Sequence, residues 1–135
     1  NTAFSSRLLH IKSVLKKALP EKADGNWRAM SFSWLDASVG DSFFSGLLDP
    51  CVQLMSLGGK RWRPLLLVLC AELAAQAKNA PGSAVENAYN LTPLVEFAHT
   101  ASLIHDDIED SADTRRGQPA AYITYGVDTA INAAS

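Results

Sequence analysis

Leu94, Phe97, Ala101, Ile104 and Ile108 are spaced 3, 4, 3 and 4 residues apart. Residues at that step share one face only when successive side chains turn by about 100°. The segment therefore reads as an α-helix, with these residues as its core-facing stripe. Helical spacing recurs upstream in Leu8, Leu9, Ile11, Val14, Leu15, Ala18 and Leu19, with Lys12, Lys16 and Lys17 opposite and Pro20 as the stop. A second helix is predicted over 42–57, broken at Asp49-Pro50 and ended by Gly58-Gly59. Pro64 sits in the first turn of a third, which runs through Leu65, Leu66, Leu67, Val68, Leu69 and Cys70 to about Ala77. That helix is apolar all round and is expected to be central and buried. A fourth is expected from about Ala84 to about Ser111, restarting at Thr92-Pro93. Arg115 to Pro119 reads as a polar turn, and a fifth helix begins near Ala120. No stretch alternates with period two, so the expectation is an all-α fold. Residues 21–41 hold Gly25, Trp27, Trp34 and Gly40 without a period, and read as an irregular connector.

A chain of 135 residues suits one domain. Its formal net charge of −2 supplies no field that would favour nucleic acid or an acidic membrane, so any anion must be held by local Lys and Arg clusters. The longest apolar run, Leu65 to Ala71, is far too short to span a membrane. The N-terminus lacks the parts of a signal peptide. Cys51 and Cys70 lack metal-ligand or redox spacing, so reduced, packed thiols and a cytoplasmic protein are expected. The chain opens inside a helical pattern and stops in an alanine-rich run, which reads as a fragment of a longer protein.

The fourth helix carries the chemistry. Opposite its apolar stripe, His99, Leu103, Asp106 and Asp110 fall within roughly 60° of one another. Aspartate on a wet helix face is ordinary, but these acids sit badly. Asp106, Asp107, Glu109 and Asp110 crowd the C-terminal turns, where the helix dipole disfavours each anion by about 0.3–1 kcal/mol. Asp106 and Asp110 are also a like-charged i, i+4 pair. A divalent cation between them relieves both penalties, and Mg²⁺ binds through one or two carboxylates plus substrate phosphates. Arg115-Arg116-Gly117 follows at once, and arginine offers a planar fork of donors to phosphate oxygens.

A further basic segment, Gly58-Gly59-Lys60-Arg61-Trp62-Arg63-Pro64, opens the third helix. Helix N-termini attract anions, and Lys60 and Arg63 add full charges there. It is not a Walker A loop, since Leu54 stands where the first glycine would be and Arg61 where Ser or Thr would be. Nor is Asp106 onward an EF-hand loop, whose central glycine is missing.

Together, GGKRWRP, EFAHTASLIHDDIED and SADTRRG resemble the polyprenyl (isoprenyl) diphosphate synthase family, whose first aspartate-rich motif, DDxxD, precedes RRG. The resemblance implies the N-terminal portion, 1–135, of a single polyprenyl synthase domain. Its fold would be an antiparallel helical bundle around a deep central cavity, of isoprenoid synthase type, and its assembly a homodimer. It implies a Mg²⁺-dependent trans-prenyltransferase that condenses isopentenyl diphosphate with an allylic diphosphate. In that family's terms Asp106 and Asp110 would hold Mg²⁺, with Asp107 a secondary ligand, and Arg115 would grip the allylic diphosphate. Gly59, Lys60, Arg63, His99 and Arg116 would hold isopentenyl diphosphate. Ala101 and Ser102, small residues just before the motif, imply products longer than farnesyl. The family's second aspartate-rich motif and C-terminal half are absent, so these residues alone are expected to be inactive.

Two other readings share the residues. A class I terpene cyclase also uses an aspartate-rich metal site, but has no need of Gly59, Lys60, Arg63 and Arg116. A non-catalytic subunit of a heteromeric synthase would explain the missing second motif, but not the intact acids and arginines.

Overall fold

The computed structural model describes residues 2–36 and 38–135. The chain runs α1 (Thr2–Ala18), α2 (Gly25–Ser31), α3 (Asp41–Ser56), α4 (Trp62–Ala77), α5 (Gly82–Glu109), β1 (Thr114–Arg115), β2 (Gln118–Pro119), α6 (Ala121–Tyr125) and α7 (Val127–Ala134). The expected all-α fold is met, with one short hairpin in it. By contact density the residues fall into two compact units: the chain through Ala18 with Gly59–His99, and Leu19–Gly58 with Thr100–Ser135.

In the first unit α1 packs on α4. Ile11, Leu15, Pro64, Val68, Ala88, Tyr89 and Thr92 are buried. Polar contacts tie the helices. Arg7 forks onto Glu72, with Nε 2.9 Å from Oε1 and Nη2 2.8 Å from Oε2. That bond raises the Arg7 pKa further, against partial desolvation. His10 stacks on Tyr89 with ring centroids 4.0 Å apart. Arg61 pairs with Glu96, and both side chains are more than nine-tenths buried. The expectation that α4 is buried on every side is not met. Pro64 and Val68 are its buried residues, while Leu66 and Leu73 are 51% and 69% exposed. An all-round apolar sequence asks for cover on all sides, and this chain covers one.

In the second unit α3, α6 and α7 pack together. Leu54, Ile104, Ala121 and Ala130 form the centre, flanked by Cys51, Leu57, Leu103, Ile108, Tyr122 and Tyr125. The predicted fifth helix is two, because Gly126 at φ +86° turns the chain between α6 and α7. Residues 21–41 are not wholly irregular, since α2 lies among them. Asp24 caps it by accepting the Trp27 N–H at 2.8 Å. The segment is packed by its aromatics: Trp27 and Phe32 meet at 5.5 Å, Phe32 and Phe44 at 5.7 Å, and Arg28 lies 4.3 Å over the Phe44 ring. Both cysteines are free. Cys51 donates to the Ala133 carbonyl at 3.2 Å, and burial pushes its thiol up. Cys70, expected to be packed, is exposed.

Neither proline breaks its helix. Pro50 is buried within α3, and the carbonyl it leaves without an N–H belongs to Gly46, in an exposed position. Pro93 deprives the Tyr89 carbonyl of its donor inside α5. The Thr92 hydroxyl, fully buried, replaces it by donating to that oxygen at 2.7 Å. The helix thus continues for 28 residues, about 42 Å at the usual rise. Continuity also redistributes its faces. Ile104 alone of the expected stripe is buried, and Leu94 is 69% exposed. The buried positions are Ala88, Tyr89, Thr92 and Glu96 in the first unit, and Thr100, Ile104 and Asp107 in the second.

Thr92→Val keeps the shape of the side chain but leaves the Tyr89 carbonyl without a donor. It is expected to cost about 1–3 kcal/mol in urea unfolding. In a Pro93→Ala background, where residue 93 regains an N–H, the same substitution should cost less than half as much.

Candidate active site

The end of α5 is built by its own backbone. Ser111 adopts φ +53°, its N–H reaches the Ile108 carbonyl at 3.2 Å, and the Ala112 N–H reaches Asp107 at 2.8 Å. These bonds form a Schellman stop with serine where glycine is usual. The Asp110 N–H still bonds the Asp106 carbonyl at 2.9 Å, so both acids belong to the last turn. No basic residue lies in that turn to offset them.

The offset comes from the hairpin. Thr114 pairs with Pro119 and Arg115 with Gln118 in antiparallel register. Arg116 and Gly117, at φ +54° and +77°, form the two-residue turn between them. Two adjacent positive-φ residues are what a type I′ turn needs. The polar turn expected here is thus a hairpin. Gly117 is required for its φ rather than for close approach, since nothing lies within 4 Å of where its Cβ would be.

The hairpin sends its arginines in different directions. Arg115 turns back to the acids: its Nε donates to Asp107 Oδ1 at 2.8 Å, and its Nη2 to the same oxygen and to Asp106 Oδ2 at 3.3 Å. The Asp107 bond is the chief reason the Arg115 pKa rises, against partial desolvation. Asp107 is only 1% exposed, and its Oδ2 accepts no hydrogen bond among the described residues. Asp106 and Asp110 face solvent. Arg116 donates to the Leu54 carbonyl at 3.1 Å and to that of Gly58, capping the C-terminal end of α3.

The other predicted residues belong to the first unit. Gly59, at φ +150°, and Lys60 are exposed in the loop before α4. Arg63 lies in the first turn of α4, its Nη1 3.0 Å from His99 Nε2. Its guanidinium also stacks 4.6 Å from the Trp62 ring. The structure thus joins Arg63 to His99, and Arg115 to Asp106 and Asp107.

The acids suit a hard divalent ion. Asp106 and Asp110 are exposed carboxylates one helical turn apart, a spacing from which each would offer one oxygen to such an ion. Among the described residues no group of three or more His, Cys, Asp or Glu side chains forms a closed protein cage. Asp107 is committed to Arg115 instead. Two charged residues escaped the reading of the sequence: Arg61 and Glu96, which pair in the interior. Glu96 carried a signal, standing as a charge between Val95 and Phe97 in an apolar stretch.

Residues 45–135 match the polyprenyl synthetase profile, and the chain belongs to that family. It is 37% identical over 107 residues to the geranylgeranyl diphosphate synthase of Sulfolobus acidocaldarius, covering 74% of this chain and 30% of that protein. To the short chain isoprenyl diphosphate synthase of Methanothermobacter thermautotrophicus it is 38% identical over 124 residues, 92% of this chain and 33% of the relative. A crystal structure of a geranylgeranyl pyrophosphate synthase superimposes with a TM-score of 0.67 at 30% identity, over 99% of this chain and 32% of that one. The chain spans about a third of the length of these relatives. Among the described residues no helix is long and apolar enough to cross a membrane.

Ser111→Gly tests the stop that sets out the acids. Removing the side chain at φ +53° should stabilise the fold by about 0.5–1 kcal/mol in urea unfolding, the left-handed penalty less the extra freedom of the unfolded chain.

Proposed function

We propose that this protein condenses isopentenyl diphosphate with an allylic diphosphate to give a longer trans-polyprenyl diphosphate, as a Mg²⁺-dependent cytoplasmic homodimer. The observation that supports this most is the pairing at the end of α5: exposed Asp106 and Asp110 suited to a cation, beside a guanidinium suited to a diphosphate and held by Asp107. When bound, Mg²⁺ supplies charge neutralisation for the departing diphosphate. Asp106 and Asp110 hold that ion, and Arg115 directs N–H donors at the allylic diphosphate. Gly59, Lys60, Arg63, His99 and Arg116 hold the isopentenyl diphosphate. The C–O bond of the allylic ester breaks with its electron pair leaving on diphosphate, the double bond of isopentenyl diphosphate attacks the resulting carbocation, and the released diphosphate takes the proton whose loss restores the alkene. No protein nucleophile is used; the side chains supply placement and electrostatics.

On this reading Asp107 acts through Arg115 and contributes to the metal only secondarily. The small Ala101 and Ser102 leave room for products longer than farnesyl diphosphate. Residues 1–135 form part of one synthase domain and carry its first aspartate-rich motif.

Incubating the intact enzyme with labelled isopentenyl diphosphate, an allylic primer and Mg²⁺ should give extended products; cyclised hydrocarbon, or no elongation, overturns the reading. Asp106→Ala should raise the Mg²⁺ concentration for half-activity by about tenfold or more. Arg115→Lys, which loses the planar fork, should lower kcat about 10²-fold. Asp107→Asn should raise the allylic KM while leaving the Mg²⁺ requirement near that of the parent.

A further inference from the structure

We propose that Arg61 and Glu96 are positioning residues: a buried ion pair that locks the loop before α4 in the conformation presenting Lys60 and Arg63 to a diphosphate. The inference rests on the reaction assigned above and names residues that reading leaves without a role.

The loop is conformationally costly. Gly58 and Gly59 take φ +83° and +150°, which glycine tolerates, but Arg61 takes φ +49°. A long L side chain holds the left-handed region only when its surroundings over-determine it. Here they do so from both ends of the residue. The Arg61 carbonyl accepts the Leu65 N–H at 3.2 Å, starting the α4 ladder, although its side chain gives the helix no cap. Its guanidinium instead runs inward, where Nη1 donates to Glu96 Oε1 with both side chains nearly excluded from water. Removing the carboxylate from a buried guanidinium is strongly destabilising, so Glu96 holds the loop in this shape.

The inward turn of Arg61 leaves Lys60 and Trp62 exposed on either side. One helical turn of α5 then engages the loop arginine and the one in the first turn of α4. Glu96 takes Arg61, and His99, three residues on, meets Arg63 at 3.0 Å. The chemistry of the two contacts differs. The carboxylate neutralises Arg61 and removes it as an anion ligand. The imidazole leaves the Arg63 charge uncancelled. Glu96 therefore divides the labour of the basic loop, with one arginine used as an anchor and the other kept for ligand.

The test uses the intact enzyme. Glu96→Gln should raise the KM for isopentenyl diphosphate at least tenfold, with the KM for the allylic diphosphate changed less than twofold. The double variant Arg61→Leu/Glu96→Leu buries no unpaired charge, so its Tm should recover toward the parent while the raised KM remains. Glu72→Gln, which breaks the Arg7–Glu72 pair, serves as control and should lower Tm without moving either KM. An unchanged KM in Glu96→Gln overturns the proposal, as does a double variant in which Tm and KM recover together. Inorganic pyrophosphate titrated calorimetrically without Mg²⁺ keeps this inference separable from the assigned reaction. A parent that binds pyrophosphate but condenses nothing overturns the reaction. The loop proposal then stands if Glu96→Gln weakens pyrophosphate at least tenfold, and falls if the affinities match.

Discussion

The negative end of α5 governs what surrounds it. Carboxylates gathered where backbone carbonyls already point outward are unfavourable, and none of the last-turn residues of the helix is basic. The positive charge arrives from the first strand of the hairpin: the chain turns off the helix at Ser111, φ +53°, and Arg115 then reaches back to Asp107 and Asp106. A chain that could not enter positive φ at Ser111 would leave the helix on another course and carry Arg115 away from the acids. Local turn chemistry thus fixes the charge arrangement, and the charge arrangement makes the helix end tolerable.

Helix geometry also explains why neighbouring aspartates differ. Adjacent residues on an α-helix point about 100° apart, whereas residues four apart nearly coincide. Asp106 and Asp110 therefore share the solvent side, and Asp107 is swung toward the interior, where it is 1% exposed. The pattern of two adjacent acids followed by one a turn later builds an outward pair suited to a cation and an inward acid suited to holding an arginine. One short motif serves both tasks because 3.6 residues make a turn.

Residue types and spacing carried much of this into the sequence. Helical periods, the glycine stop at Gly58 and the acids followed by arginines were all legible, because each depends on near neighbours. Effects set by distant partners or by one hydroxyl were not. Pro93 reads as a break until the Thr92 hydroxyl is seen on the Tyr89 carbonyl. The stripe through Leu94 reads as core, but burial shifts to Thr92, Glu96 and Thr100, which satisfy their polarity in place. The helix at Gly25–Ser31 is too short for a period to register, and its order comes from the Asp24 cap and aromatic packing. The inward course of Arg61 was invisible because its partner lies 35 residues away.

On the proposed function, the state of Arg115 bears on how a diphosphate would be received. Its Nε and Nη2 are spent on Asp107 and Asp106, while the Nη1 edge makes no hydrogen bond among the described residues. The side chain has already given up its freedom to that grip, so a phosphate oxygen meeting Nη1 need not order it again. The carboxylates nevertheless outnumber the guanidinium, and a diphosphate approaching Asp106 and Asp110 meets like charge. Directional donors without net attraction give selectivity but little affinity. On the proposed function, a divalent cation on the outward acids would reverse the sign of the encounter, so that metal and diphosphate would bind as mutually dependent ligands, each raising the affinity for the other by the same factor.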